Sequence, residues 1–208
     1  MTATPRRSSY HHGDLRAALL REAIDVSRTS GPHAVTLRDI TRRAGVSVNA
    51  AYRHFADRDA LMLVVAGHGQ GMSARAMERR LDALHEPAGR DRMRAVGLGY
   101  IDFARAEPGL FQAAYLEPVD RARTEDPVAY GDSGRTPYQL LSDALDQMVV
   151  DGSLPPERRL HAEVPAWSAV HGFAMLVVQG PLRELPPEAV DALSERVVDS
   201  IVVGVTQV

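Results

Sequence analysis

Six side chains between positions 48 and 54 carry the chemistry needed to read and hold a nucleic acid. Asn49 can pair bidentately with adenine and Arg53 with guanine, and Val48 and Ala50 can touch a thymine methyl. Tyr52 and His54 carry rings that can reach phosphate oxygens. These groups act together only if one short helix presents them outward. The surrounding stretch, TLRDITRRAGVSVNAAYRHF over 36–55, has the makings of that helix and its support. Thr36 is a good N-cap, and Leu37, Ile40 and Ala44 then share one helical face. Gly45 falls where that helix should stop, because glycine takes a left-handed conformation at little cost. Val46 offers the turn an apolar plug. Ser47 can cap a second helix, in which Ala51 and Phe55 share a face at i, i+4. The pattern predicts helix, four-residue turn, helix, with the second helix entering a major groove. An ordinary exposed helical hairpin with polar decoration has the same periodicity.

Other groups invite chemistry but lack the company it needs. His11 and His12 are adjacent, yet no carboxylate or further histidine completes a metal site beside them. Gly67, Gly69 and Gly71 resemble a phosphate loop only superficially, because no strand or GK[ST] accompanies them. His171 with a neighbouring acid would make an acid–base pair, but no nucleophile motif goes with it, so no enzyme and no cofactor is expected. The basic N-terminal pair Arg6 and Arg7 can be read as a minor-groove arm or as a solvated tail.

The run AGVSVNAAYRHFADRDAL resembles the signature of the TetR/AcrR family of bacterial transcriptional repressors. The matching positions are Ala44, Gly45, Val46, Ser47, Tyr52, His54, Phe55, Arg58 and Leu61, with Thr36, Leu37 and Ile40 just upstream. Arg58 stands where that family more often has lysine, and Ala51 where a larger aliphatic is usual. Further along, AEPGLF is similar to a segment of many TetR-like proteins, and the Trp167, His171 and Gly172 of AWSAVHG resemble a WHG-type C-terminal domain of the same family. YHHGDLR near the start is similar to the opening of one subgroup. The resemblance implies a homodimer on double-stranded DNA, at a near-palindromic operator. It gives phosphate contacts to Thr36, Arg38, Tyr52, His54 and Arg58, and base reading to Val48, Asn49, Ala50 and Arg53 behind the Ser47 cap. It implies release by a small-molecule effector in a pocket whose candidate walls are Tyr100, Phe103, Phe111, Tyr115, Met148, Trp167, His171 and Met175. A DNA-binding regulator without an effector, or an activator, fits the same residues.

Composition agrees with this division of labour. The net charge of −3 is unevenly spread: residues 1–58 sum to +5 and residues 59–208 to −8, so the basic excess lies with the helix-turn-helix. There is no cysteine, which excludes disulfide staples and thiolate metal sites. No long apolar run or signal peptide is present, and a cytoplasmic protein that does not touch the membrane is expected.

Period-3.6 patterns recur and none alternates with period 2, so an all-α chain of about nine helices is expected. Residues 14–30 form the first helix, with Leu15, Leu19, Ala23 and Val26 on one face, and should roof the helix-turn-helix. The boundary expected is 1–57 for the DNA-binding module and 58–208 for effector binding and dimerisation. Three glycines in 67–71 suggest a weak or bent segment, a hinge between the two. Further helices are expected over 90–106, 108–115, 136–151, 157–179 and 186–205. Residues 116–135 read as a long loop, either a lid over a pocket or a connector.

Overall fold

A computed structural model describes residues 12–117 and 127–206, in which all regular structure is helical. The helices are α1 His12–Ser30, α2 Leu37–Arg43, α3 Val48–Tyr52, α4 Arg58–Asp82, α5 Gly89–Ala106, α6 Pro108–Tyr115, α7 Pro137–Val150, α8 Glu163–Val178 and α9 Pro187–Thr206. The expected all-α architecture is the one found. Arg6, Arg7 and His11, and residues 118–126 of the expected loop, lie outside the described residues.

The first three helices close on a small apolar core. Leu19, Ala23 and Val26 of α1 meet Leu37 and Ile40 of α2, Ala51 of α3 and Phe55, all buried, with Val46 half-buried at the edge. The Arg16 guanidinium covers this core from outside, over the Phe55 ring at 5.3 Å from its centre, a cation–π contact.

α4 runs unbroken through Gly67, Gly69 and Gly71, so the expected hinge is replaced by a continuous helix. Close approach is the physical reason. A side chain at Gly69 would stand 2.9 Å from the Leu110 carbonyl oxygen and 3.0 Å from the Ala114 Cβ of α6. One at Gly71 would run into the carbonyls of Val128 and Tyr130. The helical propensity lost at these glycines is exchanged for backbone-to-backbone packing.

α5 is the central column, packed by α4, α7, α8 and α9. α8 starts later than the apolar pattern suggests, at Glu163 rather than 157, after a 3-10 turn at Pro156–Arg158 and a left-handed His161. Pro165 accounts for this. A helix begun at 157 would leave Pro165 in its interior, without an N–H and with its ring against a carbonyl. Begun at Glu163, the helix holds Pro165 in its first turn, where the N–H has no partner to lose. α7 shows the opposite case, a start set by its own residues: the Thr136 hydroxyl accepts from Gln139 N while the Gln139 side chain accepts from Thr136 N.

Candidate nucleic-acid interface and internal cavity

The turn between α2 and α3 follows from four local choices. The Thr36 hydroxyl accepts from Asp39 N at 3.2 Å and so caps α2. Gly45 has φ of 69°, the left-handed conformation that ends the helix. Around it, Val46 N donates to Thr41 O at 3.0 Å and Gly45 N to Arg42 O at 3.3 Å, the paired bonds of a Schellman motif. The Ser47 hydroxyl then accepts from Ala50 N at 3.2 Å and starts α3. α3 is only five residues long, and its inner residue Ala51 is fully buried. Outside it stand Val48, Asn49, Tyr52 and Arg53, all exposed, with Ala50 and His54 partly so. Tyr52 is 53% exposed, a large ring left uncovered among the described residues.

Charge around this face is sorted by pairing. Arg42 and Arg43 both hydrogen-bond the Asp39 carboxylate, which they hold below the usual carboxylate range. Arg38 of α2 is exposed. Arg58, expected as a phosphate ligand, makes its hydrogen bonds within the chain. Its Nε donates to Val35 O at 2.9 Å, one Nη to Pro32 O at 2.8 Å, and both Nη to Glu117 Oε2 at 3.2 Å. The planar fork suits this set of acceptors. It joins the α1–α2 connection, the start of α4 and the residue just past α6. A second brace lies nearby, where Arg28 of α1 pairs with Glu107 at 2.9 Å and a Cβ at Gly109 would collide with the Ser27 carbonyl.

A cavity of about 210 Å³ opens among α4 to α8. Of the residues expected to line it, Tyr100, Tyr115 and Trp167 are on its wall. His171 stands one bond behind: Trp167 Nε1 donates to Tyr100 Oη at 3.3 Å, and Tyr100 Oη is 2.8 Å from His171 Nδ1. Phe103, Phe111 and Met148 are not on the wall; each is buried in the core, where Phe111 meets the Tyr100 and Tyr115 rings at 5.7 and 5.3 Å. Met175 is half-buried against that core and is also off the wall, because the cavity meets α8 only as far along as Val170. The rest of the wall lies outside what the sequence suggests: Gln70 and Met77 of α4, Met93, Val96 and Gly97 of α5, Thr136, Pro137, Tyr138 and Leu141 around the start of α7, and Ala166 and Val170 of α8. Most are ordinary helix-face residues with no local signal. Tyr138 carries one, since it follows the capping Thr136-Pro137 pair yet is left 52% exposed.

The segment leading into α7 is clasped by a buried acid. Glu78 of α4 accepts from Asp132 N at 2.8 Å, Ser133 N at 3.0 Å and the Ser133 hydroxyl at 2.5 Å. Burial alone would raise its pKa, but these bonds and the nearby Arg75 charge hold it below the usual carboxylate range.

Two family models match the chain. The family model "Bacterial regulatory proteins, tetR family" matches residues 19–65, and "Tetracyclin repressor-like, C-terminal domain" matches residues 93–201. The chain therefore belongs to the TetR family of DNA-binding transcriptional regulators. The HTH-type transcriptional regulator YobS of Bacillus subtilis is 24% identical over 157 residues, covering 76% of this chain and 75% of that protein. A Rhodococcus sp. RHA1 protein of unknown function is 28% identical with a TM-score of 0.76, over 97% of this chain and all of that one. A single-substitution variant of TetR from Acinetobacter baumannii AYE, solved in complex with minocycline, shares the fold at 19% identity and a TM-score of 0.63, covering 90% and 94%. Among the described residues, no helix is long and apolar enough to cross a membrane.

Proposed function

We propose that this protein is a dimeric repressor that leaves its operator when a small molecule enters the cavity under α7. Residues 1–57 bind DNA and residues 58–208 bind the effector and the second copy. The observation that carries this reading is the cavity itself, together with α4: Gln70 and Met77 of α4 line the cavity, while Arg58 at its start is bonded to the α1–α2 connection. A ligand that favours one position of α4 thereby favours one placement of the reading helices. It shifts the population only in so far as it binds that form more tightly than the DNA-bound form. A regulator without an effector would need no such space, so the cavity supports the effector reading over that alternative. That a protein of this fold has been captured with minocycline supports the same reading.

The second copy is supported by the outer face of α8. Val164, Ser168, Gly172 and Leu176 lie on it at i, i+4, i+8 and i+12, exposed and without a charge, and Val203 of α9 is exposed as well. A stripe this apolar is rarely left in water. Pairing through it places two α3 helices about 34 Å apart, one turn of DNA, and calls for a near-palindromic site. At that site Val48, Asn49, Ala50 and Arg53 read bases, and Thr36, Arg38, Tyr52 and His54 hold phosphates.

Selection of DNA sites from a random pool, followed by titration with small molecules, tests the proposal. Two half-sites about ten base pairs apart and ligand-induced release are expected. Arg53→Ala should lose about 1–3 kcal/mol of discrimination at one base pair per half-site, while Arg38→Ala should weaken every site alike. A single half-site, or no release by any cavity-binding compound, would overturn it.

A further inference from the structure

The cavity's wall also says what kind of molecule it takes, and this inference rests on the effector reading above. We propose that its ligand is a neutral, flat aromatic molecule of about two fused rings with one hydroxyl or comparable neutral hydrogen-bonding group.

Size sets the ring count. An apolar cavity of about 150 Å³ accepts benzene. A cavity of about 210 Å³ has room for one more fused ring. Shape sets the aromatic character. The chain has six tyrosines and one tryptophan, and three of those tyrosines and the tryptophan line this space. Their rings stand steeply to one another: Tyr115 to Trp167 at 6.3 Å and 74°, Tyr138 to Trp167 at 6.4 Å and 64°. Rings so tilted present both faces and edges to a guest, the two geometries an aromatic guest prefers.

Charge sets neutrality. No Arg, Asp, Glu or His is among the described residues that line the cavity. Three charged groups on the same helices are committed elsewhere. Glu78 clasps residues 132 and 133, Glu163 is paired with Arg159 at 2.8 Å, and Arg75 donates to Tyr130 O at 3.3 Å. A carboxylate or ammonium brought into this space gains no counter-ion from its wall. Polar atoms set the hydroxyl. The Trp167 N–H is spent on Tyr100 and the Tyr100 hydroxyl sits between Trp167 and His171. Gln70 and Thr136 add a carboxamide and a hydroxyl to the wall, and the Thr136 oxygen, which accepts from Gln139 N, still has its proton to donate. One neutral hydrogen-bonding group on the ligand matches them.

The test titrates the full-length protein with naphthalene, 2-naphthol, 2-naphthoate and 2-naphthyl-trimethylammonium, by calorimetry and by the fluorescence of Trp167, the only tryptophan. Binding of 2-naphthol about tenfold or more tighter than either charged analogue, and tighter than naphthalene, is expected, with a change in Trp167 emission. Ala166→Leu should fill the space and abolish binding. Gln70→Leu, at a half-buried site that tolerates an apolar side chain, should erase the preference for naphthol over naphthalene. Equal or tighter binding of the naphthoate or the ammonium compound, or no binding by any of the four, overturns the proposed class. Binding of 2-naphthol without release of DNA would leave the class standing and sink the effector reading instead.

Discussion

The α2–α3 turn and the cavity under α7 are joined by α4 and built in opposite ways. The turn is held by bonds among near neighbours, from Thr36 to Asp39, from Val46 back to Thr41, from Ser47 to Ala50. The cavity draws its wall from five helices, with Gln70 and Val170 as its extremes in sequence. One is a set of bonds made; the other is a volume left over. A region defined by bonds survives changes of neighbour as long as its own residues are kept. A region defined by leftover volume is sensitive to any distant side chain that grows by a methylene. On the proposed reading, a regulator benefits from both: a rigid reading head, and a sensor that can be retuned without disturbing it.

The sharpest way to break this contrast is at the braces between the two regions. Gly109→Val should have the largest effect, because its side chain would overlap the Ser27 backbone, which cannot move out of the way as a flexible side chain can. About 3 kcal/mol of stability should be lost, read as a fall in the denaturant midpoint. A variant that kept its midpoint would show that α1 and α6 do not need this contact.

Arg58→Lys comes next. An ammonium cannot span the Val35, Pro32 and Glu117 acceptors, so about 2 kcal/mol should go, in the absence of DNA. DNA affinity should fall with an unchanged salt dependence. If the neutral Arg58→Gln instead lowered the salt slope by about one with stability intact, Arg58 would be a phosphate ligand after all. Ser47→Ala should remove about 1 kcal/mol through the lost cap, and weaken DNA binding while leaving ligand binding alone. An equal loss of ligand binding would mean that the head is not independent of the sensor.

The smallest effect is confined to acid. Glu78 has a depressed pKa in the fold, so its contribution is complete above its usual value of 4.5 and is lost as the pH falls below that value toward the folded one. Melting temperature should decline in that window, and Glu78→Gln should flatten the decline. Because Glu78 clasps the segment entering α7, ligand affinity should weaken in the same window.

Legibility in the sequence follows the same contrast. Thr36, Gly45, Ser47 and the buried Ala51 could be placed from the chain because each acts on residues within a turn of itself. Tyr100, Tyr115 and Trp167 stand out as aromatics on amphipathic faces, yet Phe103, Phe111 and Met148 carry the same signal and prove to be core. Periodicity tells which face of a helix is inward. It does not tell whether the inward space is filled. The glycines of α4 mislead for a related reason. Alone they weaken a helix, but here they admit α6 and the 128–130 backbone.

By itself, then, the order of residues settled the helical class, the capped turn and the outward chemistry of α3, since capping and left-handed glycine are short-range effects. Only the folded chain decided that Arg58 makes its hydrogen bonds within the chain, that α4 is unbroken and that an empty space remains beside Trp167. Those outcomes depend on which distant atoms arrive at the same place, and on how much room their combined volumes leave.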